Sequence, residues 1–134
     1  MTMLNDSTVL VVEDQPAIRK LVVEALGRAG YTVTEAKDGT EALQELAHRA
    51  DALDLVLLDL SLPMVDGLEV LRQARSQSPW LPVIAMSASR EDLVDAKAAG
   101  ARETLAKPFD ISELLERVES CQPFTPQTTS ATPS

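Results

Sequence analysis

At 134 residues the chain has room for one domain, and a hydrophobic share of 45% is enough to build a core. Twelve basic against twenty-one acidic residues give a net charge of −9, which repels phosphate backbones and anionic lipid and argues against direct nucleic-acid or membrane binding. That balance suits a divalent cation or a basic partner surface instead.

The first seven residues, MTMLNDS, have neither the basic region nor the apolar stretch of a signal peptide and read as a short leader (1–7). No apolar run approaches the ~20 residues of a membrane span, so the expected location is the cytoplasm. A first strand, Thr8–Glu13, is followed by a helix between Gln15 and Ala29. There Ile18, Leu21, Val22, Ala25, Leu26 and Ala29 follow the spacing of one apolar helix face. The second strand, Tyr31–Ala36, alternates like a half-exposed edge, and Ala42, Leu43, Leu46, Ala47 and Ala50 repeat the helical spacing. His48 falls in that helix as an ordinary surface residue, because a metal site needs several ligands together.

The third strand, Asp54–Asp59, is almost wholly apolar, as a central strand covered on both faces should be. Leu68, Leu71 and Ala74 mark the third helix, Pro82–Ser87 the fourth strand, and Leu93, Ala96 and Ala99 the fourth helix. A short mixed run, Glu103–Lys107, can form the other edge, and Ile111, Leu114, Leu115 and Val118 face inward on a fifth helix. Trp80 lies at the start of the fourth strand, far from the acids, and reads as packing or surface; Phe109 reads as a seat for the last helix. From Ser120 to Ser134 proline, threonine and serine dominate without apolar period, which predicts a disordered tail or linker after a folded domain of residues 8–119. The single cysteine, Cys121, has no partner for an internal disulfide.

Strands alternating with helices predict an α/β fold, a doubly wound five-stranded parallel sheet. Apolar central strands and mixed edges suit the flavodoxin-like (βα)5 order 2-1-3-4-5, in which ligands bind at the carboxyl ends of strands one and three.

The run LVLLDLSLP then poses a problem, because Asp59 interrupts core-like sequence and an unpartnered buried charge is costly. Its neighbours answer it. The first strand ends in Glu13 and Asp14, the fourth in the hydroxyl of Ser87 and the fifth in the amine of Lys107, all on the edge where Asp59 ends the third. Three carboxylates drawn together repel one another unless a cation is present, and Mg²⁺ prefers such oxygen ligands. Each residue has a plain alternative: Asp14 as the cap of the helix starting near Pro16, Asp59 as a turn residue, Ser87 as a cap, Lys107 as a surface lysine. Their coincidence at successive strand ends favours an anion and metal site.

With VVEDQP, LLDLSLPMVDG, MSAS and AKPF in place, the sequence resembles the receiver domain of bacterial two-component response regulators from about Val9 to Val118. The resemblance implies that Asp59 accepts a phosphoryl group from the phosphohistidine of a histidine kinase or phosphotransfer protein. It implies that Glu13, Asp14, Asp59 and the backbone carbonyl of Ser61 hold Mg²⁺. It further implies that Ser87 contacts the phosphoryl group after transfer, that Lys107 pairs with its oxygens, and that Lys107–Pro108 is often cis. Phosphorylation would then switch binding of a partner protein or output domain through the fourth helix, fifth strand and fifth helix. On this reading the protein is no enzyme beyond supporting its own phosphorylation and dephosphorylation.

One departure stands out. Family members commonly carry Tyr or Phe three residues before the lysine, where this chain has Thr104; the two positions that often tune dephosphorylation are Ser61 and Ser89. Competing readings are a receiver cut from a longer regulator or hybrid kinase, a receiver-like adaptor acting without phosphorylation, and an aspartyl-phosphate hydrolase. The hydrolase needs a second acid two residues after the nucleophile, where Ser61 stands. No phosphate-binding glycine motif follows any strand.

Overall fold

The computed structural model describes residues 7–122, whose main elements are five parallel strands and five α-helices. In chain order these are β1 (Thr8–Val12), α1 (Pro16–Arg28), β2 (Thr32–Ala36), α2 (Gly39–Arg49), β3 (Leu55–Asp59), α3 (Gly67–Gln77), β4 (Val83–Ser87), α4 (Arg90–Ala98), β5 (Glu103–Ala106) and α5 (Ile111–Ser120). The sheet order is β2-β1-β3-β4-β5, as the alternation of apolar and mixed strands predicts. No described helix is long and apolar enough to cross a membrane.

Strand side chains alternate between two apolar layers. Leu10, Val12, Val56, Leu58, Val83 and Ala85 pack with Ala42 and Leu46 of α2, Val70 and Leu71 of α3 and Ala96 of α4. On the opposite face Val9, Val11, Leu55, Leu57, Ile84 and Met86 pack with Val22 and Leu26 of α1 and Leu114 and Val118 of α5. β3 and β4 are buried along their whole length, so their backbone can be satisfied only by neighbouring strands. Trp80 packs half-buried against the first layer and Phe109 against the second.

The helix starts are chemically marked. Pro16 opens α1, and the side chains of Asp38, Asp66 and Ser89 accept backbone N–H groups at the starts of α2, α3 and α4. Asp110 and Glu113 form a reciprocal capping box on α5. α1 and α4 each run into a glycine of positive φ, Gly30 at 100° and Gly100 at 109°, the left-handed position that ends a helix at no Cβ cost.

Three expectations change. Leu21 is 52% exposed and Ala29 is exposed, so the apolar stripe of α1 is wider than the face it buries. Ala47 is exposed on α2 for the same reason. Of the stretch expected to form a tail, Ser120 lies in α5, Cys121 is buried in the second layer, and Gln122 donates through Nε2 to the Tyr31 hydroxyl. Residues 123–134, expected to be disordered tail or linker, and residues 1–6 of the expected leader lie outside the described residues.

Candidate functional site

The parity of the strands places the charged groups. Glu13 continues the face of Val9 and Val11 beyond β1, Asp59 that of Leu55 and Leu57 in β3, and Lys107 that of Leu105 beyond β5. Register does the rest. β1 and β3 pair from Val9↔Leu55 to Val12↔Leu58, and Asp59 lies opposite Met86 of β4. Backbone bonds carry this alignment past the strand ends: Glu13 N–H to Ala36 O (3.1 Å), Leu60 N–H to Met86 O (2.9 Å) and Lys107 N–H to Ser87 O (2.9 Å).

Lys107 Nζ reaches both buried acids, at 3.1 Å from Glu13 Oε1 and 3.4 Å from Asp59 Oδ2. Glu13 is 0% and Asp59 2% exposed, so these ion pairs act away from bulk solvent. Asp59 Oδ1 accepts the N–H of Ser61 at 3.0 Å, and Glu13 Oε2 accepts that of Gln15 at 3.2 Å. The hydroxyl of Ser87, also buried at the carboxyl end of β4, accepts the Ser89 N–H at 3.0 Å, a bond that does not use its own O–H. Lys107–Pro108 is cis.

Asp14 does not cap α1; the cap position belongs to Gln15. Instead Glu13, Asp14 and Asp59 bring one carboxylate oxygen each within 4.8 Å of one another. Three carboxylates face one ammonium, and every donor is a hard oxygen. The cluster has the composition of a site for a hard divalent cation.

Burial, and then the charge of Asp59, push the Glu13 carboxyl above its ordinary value of 4.5, while the Gln15 N–H and Lys107 pull the other way. A raised folded-state pKa makes the native state the better proton binder. The stability this group contributes is therefore present below about 4.5 and lost as pH rises through the raised value. Glu13→Gln is expected to raise the metal-free melting temperature at neutral pH, each kcal/mol being worth roughly 4 °C in a domain of this size. The gap should close in acid, and the stabilisation conferred by added divalent metal should disappear. Calorimetry in chelator and in metal, across pH, measures all three.

Sequence patterning gave no sign of Arg19. Its guanidinium bonds the Glu13 carbonyl at 2.8 Å and Glu35 Oε1 at 3.1 Å, tying the end of β1 to β2 from the first turn of α1. The loop after Asp59 also hides a constraint. Val65 N–H donates to Pro63 O at 2.9 Å, a γ-turn in which Met64 takes φ 76° with its side chain 81% exposed. At the departure noted above, half-buried Thr104 offers its carbonyl to Arg117 Nε at 3.1 Å.

The family model described as response regulator receiver domain matches residues 9–119, from within β1 to within α5. The chain belongs to the response-regulator receiver family. Response regulator MprA of Mycobacterium ulcerans is 42% identical over 114 residues, covering 84% of this chain and 48% of the relative. The probable transcriptional regulatory protein TcrX of Mycobacterium tuberculosis is 39% identical over 115 residues, with the same coverage. The receiver thus spans about half the length of the curated relatives it matches. Among solved structures, the receiver domain of NtrX from Brucella abortus superposes with a TM-score of 0.78 at 34% identity, covering 90% of this chain and 99% of that one. The chemotaxis response regulator CheY4 of Vibrio cholerae gives 0.79 at 33%, covering 87% and 98%. The strand order, the acid cluster and the family therefore agree.

Proposed function

We infer that this receiver is phosphorylated on Asp59 by a histidine kinase or phosphotransfer protein, in the cytoplasm. One observation carries the reading: a buried carboxylate at the end of a central strand is flanked by Lys107 and by two further acids. A carboxylate oxygen of Asp59 forms the O–P bond as the N–P bond of a phosphohistidine breaks, the imidazole leaving with the electron pair. Lys107, already 3.4 Å from Asp59 Oδ2, pairs with the oxygens of the incoming phosphoryl group, and the Ser87 hydroxyl donates to it. Glu13, Asp14, Asp59 and the backbone carbonyl of Ser61 form the ligand set for Mg²⁺, which when bound supplies positive charge to the transferring group.

The chemistry stops at the protein's own acyl phosphate, so the domain is a switch and not an enzyme acting on a separate substrate. Phosphorylation adds charge and acceptor oxygens beside Ser87 and Lys107, a local change able to bias a two-state element. The output is a downstream protein or a domain outside this chain, engaged through α4, β5 and α5, where Val94 is 62% exposed.

Intact-protein mass spectrometry after incubation with a small acyl-phosphate donor and Mg²⁺ tests the reading. Expected is a gain of one phosphoryl group, abolished by chelator and strongly reduced by Lys107→Ala. A protein that stays unmodified with both the small donor and phosphorylated histidine kinases would act as an adaptor without phosphorylation.

A further inference from the structure

The acids of the site are placed by the sheet, since Glu13 and Asp14 follow β1 and Asp59 ends β3. Ser61 lies two residues farther out, in the loop 60–66 between β3 and α3. The start of that loop is tied down by the Leu60 N–H bond to Met86 O at 2.9 Å and by Gly67, which abuts Leu60. Its far turn, around Val65, meets a different element. A Cβ built on Gly39, the first residue of α2, would lie 2.6 Å from Val65 Cβ, 2.9 Å from Val65 O and 3.3 Å from Val65 Cα. Gly39 is buried and takes no positive φ, so the position demands space and not an unusual backbone. Glycine is a poor helix former, and its use as the opening residue of α2 calls for a reason. The approach of Val65 supplies one.

We propose that Gly39 is a positioning residue for the Mg²⁺ site: the start of α2 braces Val65 and so sets where the loop holds the Ser61 carbonyl. This rests on the ligand set inferred above, in which Ser61 is the one member carried by the loop. The brace is stiff on both sides. Asp38 Oδ1 accepts the Glu41 N–H at 2.8 Å and fixes the first turn of α2, while Ala42 and Leu46 bury that helix in the first layer. On the loop side two of the three atoms are backbone, so added volume at Gly39 moves the chain and not the tip of a side chain. Val65 comes four residues after Ser61, and Pro63 and the turn at Met64, closed by Val65 N–H to Pro63 O, stiffen the path between them. A small displacement matters to one ion more than to another. Mg²⁺ demands a near-ideal octahedron at about 2.0–2.1 Å, whereas Ca²⁺ accepts flexible geometry at about 2.3–2.6 Å. The brace therefore acts on the preference for Mg²⁺ over Ca²⁺.

Amide NMR titrations of the full chain with Mg²⁺ and, separately, with Ca²⁺ test this, with metal-free melts measured alongside. In Gly39→Ala the Mg²⁺ affinity should fall by about 10-fold, the scale on which residues supporting a metal ligand act, and the Ca²⁺ affinity by clearly less. Asp38→Ala loosens the first turn of α2 without adding volume, and Asp38→Asn removes the same charge while keeping a capping oxygen. The ratio of Mg²⁺ to Ca²⁺ affinity should fall in the first and hold in the second, because a lost charge weakens both divalent ions alike. This pair decides the matter if Gly39→Ala does not fold. An unchanged ratio in folded Gly39→Ala, whatever its melting temperature, would overturn the brace and leave the ligand set standing. Asp38→Ala and Asp38→Asn behaving alike would do the same. A parent in which Mg²⁺ moves no amide of Glu13, Asp14, Asp59 or Ser61 would overturn the ligand set itself, and the brace with it.

Discussion

Asp59→Asn is expected to abolish phosphoryl incorporation, by on the order of 10³-fold or more, the scale on which removal of a nucleophile acts. The substitution keeps the shape of the side chain and an oxygen to accept the Ser61 N–H, held at 3.0 Å in the parent, so the fold should survive. An amide oxygen carries no charge with which to attack phosphorus. The loss of charge has a second, opposite consequence. After burial, the charge of Asp59 is the second cause that pushes the Glu13 carboxyl upward, so the variant should lower the pKa of Glu13 and raise the metal-free melting temperature. A reactive group purchased at the expense of stability behaves in this way. Carboxyl-resolved NMR titration and calorimetry read these effects separately from the mass assay. If the variant still gained a phosphoryl group, the nucleophile would have to be another acid, with half-buried Asp14 the first to test.

The sequence exposes this site because its residues end strands. Val9, Val11 and Glu13 share a parity, as do Leu55, Leu57 and Asp59, so a reader who finds the strands also finds which charges point the same way. Parallel strands joined by helices then bring their carboxyl ends to one edge without any long-range information. What stays hidden depends on partners distant in the chain. Six residues between Ile18 and Ala29 fit the apolar spacing, yet only Val22 and Leu26 are fully buried, and Leu21 and Ala29 stand exposed. The Tyr31–Gln122 bond joins residues 91 apart, so composition around Ser120 gives no sign of it. Arg19 looks like any charge on a solvated face until the carbonyl of Glu13 is placed above it. Periodicity reveals which face of an element is apolar; it cannot reveal how much of that face a neighbour will cover.

Gly67→Ala should destabilise the domain by about 2 kcal/mol, although alanine is the better helix former and Gly67 opens α3. A Cβ there would lie 2.5 Å from Leu60 Cα, 2.8 Å from Leu60 O and 2.9 Å from Asp59 O. All three are backbone atoms, so no flexible side chain can swing away, and relief requires moving the chain that follows the phosphoacceptor. The helix-propensity gain of at most about 1 kcal/mol is smaller than the overpacking cost of ~1–3 kcal/mol and loses to it. The melting temperature should fall by roughly 8 °C, and phosphorylation by a small donor should slow as Asp59 and Leu60 shift. Gly27→Ala is the matched control. It lies within α1 with nothing inside 4 Å of its prospective Cβ, so the same substitution should there stabilise, by up to about 1 kcal/mol. Opposite signs in the two melts would locate the effect in the close approach of α3 to the loop behind Asp59. Equal signs would sink the steric account and return the difference to helix propensity alone.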